Sequence, residues 1–400
     1  MTARPAPTPG AAAPYAVAPR LALFYVAVFG TMGVSLPYWP VWLQARGLGP
    51  GEIGLLLGLG TLTKLAAEPA IGVATDRLGR RRGPMLVLAA VALFSCALFA
   101  VTDGFWAYVP LTALYLTGFT ALVPLGDSLT LLHVRSGTID YGRVRLWGSV
   151  AFIATALGAG WAIGRTGEDV VLWLLLGGLA AVVLTVATLP DRRTRPSGPR
   201  DGGARPLLTR PAFLVFLLAA AGVQSSHAVY YGFGTIEWRA AGLDETTIGL
   251  LWAEGVLAEV IVFALATRLL RDRASPATLL AIAGALTVFR WLVTGATAAL
   301  PVLLLVQTLH GASFGLAYLA GMLFLTEAVP ERLSATAQTL YSAGVAGLGL
   351  GVMMPAGGLL YGALGGAAYF ATAGVAALGL VAALVLRRLW RRGPLPDLAG

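Results

Sequence analysis

Lys64 is the only lysine in a chain of 400 residues; the 27 other basic residues are arginines. It lies in the apolar stretch TLTKLAAEPA, with Glu68 four positions on. That spacing puts both side chains on one helix face, where they can touch. Lysine ahead of glutamate is the weaker order in an isolated helix, so helix stability does not explain the pair. Three uses fit it: mutual neutralisation, a counter-charge for a solute carboxylate, or a proton-linked exchange of partners. Pro69 lacks an N–H and loosens the helix beside Glu68.

Asp127, Glu254, Glu259 and Arg290 sit in equally apolar surroundings. Ionisable groups at mid-bilayer cost roughly 2.5–3.5 kcal/mol each even on insertion scales, so each asks for a function or a partner. Glu254 and Glu259 are five apart and point to different sides of one helix. A carboxylate without a partner in a low-dielectric site takes up a proton readily. Glu259, Glu254 and Glu68 are therefore the candidate proton carriers, with Glu259 favoured because it lies nearest the middle of its segment. Asp127 and Arg145, at the end of one segment and the start of the next, are a candidate pair. Arg290 is expected to pair with an acid of the Glu254–Glu259 segment in a structural role.

Two polar–aromatic stripes complete the set. Gln224, His227 and Tyr231 fall at i, i+3 and i+7, with Tyr230 extending the stripe. Gln307, His310, Phe314 and Tyr318 make a second. Such walls suit an aromatic or ring-shaped ligand, while interhelical hydrogen bonding is the plainer use. Two histidines on separate helices do not make a metal site. No nucleophile–base arrangement and no GxxxxGK phosphate loop is present, so neither an enzyme nor an ATP-driven pump is expected, and no cofactor.

The elements that must hold these groups follow from composition. The chain is 57% hydrophobic and 12% charged, with mean hydropathy +0.78. A soluble domain of this length could not bury that much apolar surface. The apolar runs are about 20 residues long, enough to cross a bilayer. They are continuous rather than alternating, so they are helices. Twelve spans are expected: 20–44, 51–75, 84–101, 106–131, 143–164, 170–189, 211–236, 247–267, 276–296, 301–326, 334–362 and 367–387. The lone Cys96 excludes an intrachain disulfide and reads as packing.

Arginines cluster in alternate connections: Arg77, Arg80, Arg81 and Arg82; Arg135, Arg143 and Arg145; six from Arg192 to Arg210; Arg268, Arg271 and Arg273; then Arg387, Arg388, Arg391 and Arg392. The opposite connections hold Arg46, Arg165 and Arg239. This bias predicts cytoplasmic termini and accounts for most of the net charge of +9. The charge thus reports topology, not a nucleic-acid partner. The Pro/Ala-rich residues 1–19 read as a retained cytoplasmic tail rather than a signal peptide. Residues 20–189 form one expected six-helix bundle, 190–210 a cytoplasmic linker rich in Pro and Gly, 211–388 the second bundle, and 389–400 a cytoplasmic tail.

An internal repeat links the bundles. RGLGPGEIGLLLGLG from Arg46 matches AGLDETTIGLLWAEG from Ala241, an offset of 241 − 46 = 195. The halves are therefore parallel duplicates about an axis along the membrane normal. The offset places Lys64 opposite Glu259, a base against an acid.

The turn GVATDRLGRRRG resembles the signature loop of the major facilitator superfamily, with Gly72, Asp76, Arg77, Gly79, Arg80 and Arg81 in the signature places. Within that superfamily LPYWPVWLQARG, YGRVRLWGS, QSSHAVYYGF and QTLHGASFG resemble the phenylpropionate permease group and, more distantly, lactose-permease-type proton symporters. The resemblance implies an all-α integral membrane fold of twelve transmembrane helices in two six-helix bundles around a central cavity. Spans 1, 4, 7 and 10 would line the cavity, which opens to alternate sides as the bundles rock. The loop residues would form a gating latch. In the lactose-permease type, acids at the places of Asp127 and Glu254 contact substrate, as does the arginine at the place of Arg145. The proton-binding acid three residues after the span-10 histidine is here Ser313, so coupling would move to span 8 or span 2.

These readings converge on a secondary transporter of a bacterial inner membrane, importing a small solute such as an aromatic carboxylate with a proton, as a monomer. The alternatives are a sugar or nucleoside symporter, an exporter (span 5 lacks the proline of antiporter motifs), or a membrane sensor without transport. Tyr38, Trp39 and Trp42, near the outer end of span 1, serve as an interfacial anchor or a substrate contact.

Overall fold

The structure is a computed structural model that describes residues 14–134, 139–191, 204–269 and 273–395. Most of the expected N-terminal tail and of the 190–210 connection, the last five residues, and Arg135 and Arg271 lie outside the described residues. Among the described residues the chain is helical and holds no strand. The first six membrane helices are α1 (Pro14–Ala45), α2 (Pro50–Leu78), α3 (Arg82–Leu98), α4 (Phe105–Val134), α5 (Tyr141–Thr166) and α6 (Val170–Thr188). The second six are α7 (Pro211–Ala240), α8 (Glu245–Leu269), α9 (Pro276–Ala296), α10 (Leu300–Ala328), α11 (334–364) and α12 (Ala368–Leu389).

Nine segments among the described residues are long and apolar enough to cross a membrane. One of them, Thr336–Leu389, contains two helices, which separate at Gly365. The charge-bearing α2 and the 17-residue α3 complete the twelve expected spans.

The halves meet mainly through two helix pairs, α2 on α11 and α5 on α8, with α1 against α7 between them. The 195-residue repeat makes these pairs counterparts, and the packing reflects it. A Cβ on Gly54 of α2 would stand 2.6 Å from the Met354 carbonyl oxygen; one on Gly249, the repeat partner in α8, would stand 2.8 Å from that of Ala156. Glycine is needed at both places because backbone meets backbone there.

Both contacts lie towards the arginine-poor end. There Arg239, at the end of α7, pairs with Glu168 in the turn between α5 and α6, across the halves, and with Glu245 at the start of α8. Towards the arginine-rich end, Val73 and Leu78 of α2 and Ile261 and Leu265 of α8 are exposed.

Four helices are irregular near their middles. α4 is interrupted at Ala121 and α7 at Ser226–His227, while α10 and α11 contain π turns at Gly311–Leu316 and Ala343–Gly349. At the break in α7, Ser226 Oγ donates to the Val223 carbonyl and accepts from Trp291 Nε1, so the irregular turn is tied to α9. Interruptions of this kind free backbone groups and re-aim side chains, and π turns concentrate at functional sites.

Tyr38, Trp39 and Trp42 correct their expectation. They are buried inside the first half rather than placed at its surface. Trp39 and Trp42 stack with centroids 4.8 Å apart and planes 5° apart, edge-on to Phe99. They are core, neither a lipid-facing belt nor an open wall.

Candidate functional site

A polar cluster lies where α7, α9 and α10 meet. Arg290 of α9 is wholly buried at its centre. Its Nη1 donates to His310 Nδ1 (3.0 Å) and Ser313 Oγ (3.1 Å), and its Nη2 to Gln307 Oε1 (2.6 Å). Gln307 Nε2 donates in turn to Tyr230 Oη and the Leu251 carbonyl. The guanidinium lies over the rings of Tyr230 and Trp291, at 4.7 and 4.5 Å. The expected acidic partner from α8 is not there: among the described residues Arg290 forms no ion pair. Its partners are neutral groups of α10: Ser313 in the π turn, and Gln307 and His310 in the α-helical stretch before it.

The donors fix both histidines. An arginine N–H can only donate, so His310 Nδ1 accepts and the ring proton sits on Nε2. His227 Nδ1 faces the Val223 carbonyl at 3.2 Å and must carry its proton there. His227 Nε2 lies 3.3 Å from Ser313 Oγ, whose single proton is shared between this nitrogen and the His310 carbonyl at 3.4 Å. Arg290, Ser313 and His227 thus form one chain, in which the arginine holds His310 Nδ1 as an acceptor.

Aromatic rings complete the wall. His310 stacks on Phe314 (5.5 Å, 12°), His227 on Tyr231 (5.8 Å, 27°), and Tyr230 lies against Trp252 (4.6 Å). Tyr231 and Phe314 are half-buried, whereas the polar residues behind them are buried. Gln224 joins the wall by donating to the Phe314 carbonyl at 3.4 Å. The expected α10 stripe stops at Phe314. The π turn rotates Tyr318 away, and its exposed ring stands against Phe263 of α8.

A second cluster bridges the halves. Asp127 accepts from Tyr25 Oη (2.6 Å) and Tyr141 Oη (3.1 Å). The Arg145 guanidinium lies 3.7 Å over the Phe29 ring and 5.5 Å over the Tyr25 ring. Asp127 and Arg145 therefore form no ion pair; Tyr25 joins them, its hydroxyl on the acid and its ring under the base. On α8, which packs against the Arg145-bearing α5 of the other half, Glu259 is half-buried. Its side chain packs where a Cβ on Gly315 would stand, 3.4 Å from its Cγ.

Lys64 and Glu68 are both half-buried and remain apart: among the described residues neither forms an ion pair or a side-chain hydrogen bond. The preceding Thr63 is braced to α4 by Thr117 Oγ1 at 3.0 Å. Glu254 is half-buried, with Oε2 enclosed and without a partner.

In the signature turn, Gly79 ends α2 with φ +61°, a conformation that favours glycine, and its N–H returns to the Thr75 carbonyl. Arg81 is buried; its Nε donates to Ser128 of α4 (2.8 Å) and its backbone N–H to Asp191 after α6 (3.1 Å). Arg77 and Arg80 are exposed, and the side chain of Asp76 lies outside the described residues. A Cβ on Gly72 would meet nothing within 4 Å, so packing does not require that glycine here.

Twelve helices in two parallel-repeat halves, with buried charges at their junction, define a multi-pass membrane transporter of the major facilitator fold. The chain belongs to the MFS_1 like family, whose model matches residues 19–372. It is 37% identical over 364 residues to a probable 3-phenylpropionic acid transporter of Escherichia coli, covering 89% of this chain and 94% of that one. It is 31% identical over 360 residues to the maltose permease of Geobacillus stearothermophilus, covering 88% and 89%. The nucleoside transporter NupG shares the fold, with TM-score 0.81 at 13% identity over 94% of this chain and 99% of that one.

Proposed function

We propose that this protein imports a small aromatic carboxylate together with a proton across a bacterial inner membrane, as a monomer with both termini cytoplasmic. The observation that carries this reading is the wall of half-buried rings, Tyr231 and Phe314, backed by the buried polar set of His227, His310, Gln307 and Gln224. Rings receive a ring, and the buried donors behind them orient its polar end. The likeness to a probable 3-phenylpropionic acid transporter supports the same solute class.

Proton coupling falls to Glu259, with Glu254 and Glu68 as further acids. His310 is committed as an acceptor by the arginine it faces, which favours the carboxylates as the titrating groups. Glu259 lies on α8, which packs against the Arg145-bearing α5 of the opposite half, so a change in its charge can alter the attraction between halves. Lys64 and Glu68 contribute from the first half. Asp127 and Arg145 shape the cavity at its arginine-rich end, and the turn Gly72, Asp76, Arg77, Gly79, Arg80 and Arg81 acts as the latch. Two parts of this arrangement support an inward-facing state: the close packing at the arginine-poor end and the Arg239–Glu168 pair.

A second reading, proton symport of a sugar, draws on the maltose permease relative. Proteoliposomes under an inward proton gradient separate the two. Labelled 3-phenylpropionate is expected to accumulate, and a protonophore to abolish the accumulation. Accumulation of maltose alone would favour the sugar, and no flux of any solute under any gradient would sink the transporter reading.

A further inference from the structure

We propose that Arg290 is the seat of the solute's carboxylate, held side-on by the Nε and Nη2 edge of its guanidinium. The inference rests on the reading of the solute as an aromatic acid and assigns the residue that recognises its charged end.

Four observations point to it. The first is charge. Arg290 is wholly buried, yet all its hydrogen-bond partners, His310, Ser313 and Gln307, are neutral. A buried cation without an anion is costly, and the cost is offset when an anion arrives.

The second is the fork. Nε and Nη2 share one edge of the guanidinium, the geometry that receives both oxygens of a carboxylate. Nε has no partner, although it is enclosed. Nη2 is held by the amide oxygen of Gln307, a neutral acceptor that a carboxylate outcompetes. One arm of the fork is thus empty and the other is held by a group that can turn aside.

The third is orientation. The rings of Tyr230 and Trp291 lie against the guanidinium at 4.7 and 4.5 Å and restrict how it can turn. The opposite nitrogen, Nη1, is fixed by His310 and Ser313, so the cation stays in place when Gln307 moves.

The fourth is distance to the rings. His310, bonded to Nη1, stacks directly on Phe314, the half-buried ring of the wall. Phe314 and Tyr231 thus lie one residue, His310 or His227, away from the Arg290 cluster, and the seat requires the solute's side chain to pass these rings to the Nε and Nη2 edge.

Lys64, the other buried-segment cation, has no comparable frame: among the described residues no hydrogen bond or ion pair within 4 Å holds its ammonium, and it offers no fork.

The test compares 3-phenylpropionate with its neutral amide, 3-phenylpropanamide, by calorimetric titration of the purified full-length protein at neutral pH. The wild type is expected to prefer the acid by at least ~10-fold, as a charge-assisted fork should. Arg290→Gln should reduce that preference to about unity, acid binding falling far more than amide binding. Retained preference in Arg290→Gln overturns the inference alone. Equal loss of acid and amide also overturns it, since that is the mark of a structural role. A wild type that binds both compounds equally overturns it while leaving the aromatic-solute reading in place. A wild type that binds neither overturns the reading and the inference together. If Arg290→Gln does not fold, Arg290→Lys serves instead, keeping the charge without the fork. Part of the preference should then be lost, and full wild-type preference would overturn the side-on seat.

Discussion

Glu259 lies at the seam of the two halves, on α8 where it packs against α5, the helix of Arg145. Removing its ability to ionise should separate solute exchange from proton movement. Glu259→Gln is expected to keep counterflow exchange of 3-phenylpropionate while losing at least ~10-fold of gradient-driven accumulation. Unchanged accumulation would shift the role to Glu254 or Glu68. Lys64→Ala should abolish net uptake with membrane insertion intact, which immunoblotting of membranes alongside uptake can establish; normal uptake would remove Lys64 from the site. At this scale the sequence discloses the groups but not their partners. Charge in an apolar segment singles out Lys64, Glu259 and Arg290 from type alone. Partners depend on helix rotation, which residue spacing predicts only while a helix is regular. Lys64 and Glu68 share a face and still do not pair. Asp127 and Arg145 are joined by Tyr25 of α1, about a hundred residues away in sequence, which no local spacing could indicate.

Among the elements, the two glycine contacts between halves decide how closely the arginine-poor end can shut. A side chain at Gly249 would meet the backbone of α5, and one at Gly54 the backbone of α11. Overpacking of such a contact costs about 1–3 kcal/mol, enough to shift an equilibrium between two facing states by an order of magnitude or more. Gly249→Leu should therefore hold this end apart and lower uptake, leaving the fold in place. Cysteine labelling can read it: the native Cys96 is buried, so a cysteine placed on the α8 start in a Cys96→Ser background would report access from that side. Unaltered labelling and uptake would show that the contact has slack. The repeat that places these glycines is legible in the sequence, because IGLL recurs at the same offset. The π turns are not legible. They arise where α10 and α11 settle against their neighbours, and glycines at 311, 315, 344, 347 and 349 permit them without specifying them.

For the whole molecule, closure at the arginine-poor end also has an electrostatic part. Glu168, in a turn outside the membrane segments, has its carboxyl held below the ordinary 4.5 by the hydrogen bond from Arg239 across the halves. A depressed value in the closed arrangement means that the pair contributes fully above about 4.5 and fades as pH falls through the lowered value. Acidifying that side below about 4.5 should loosen closure, and Glu168→Gln should loosen it at neutral pH and remove the pH response. Spin-label distances across the α5–α6 and α7–α8 turns would read the change; a wild-type response surviving in Glu168→Gln would place the titrating group elsewhere. Each partner is about two-thirds to three-quarters covered, so salt should weaken this effect only in part. The arginine bias and the duplicated halves made the architecture readable at this scale. A pair formed between turns of opposite halves was not, because neither turn carries a sign of the other.

The counterpart contacts of α2 with α11 and α5 with α8 have a mechanical meaning. They sit like two bearings on either side of a shaft, and a rigid half can tilt only if both yield together. Loosening one bearing would let the halves slew rather than rock, so a defect at Gly54 alone should distort the stroke of the transporter more than matched defects at Gly54 and Gly249.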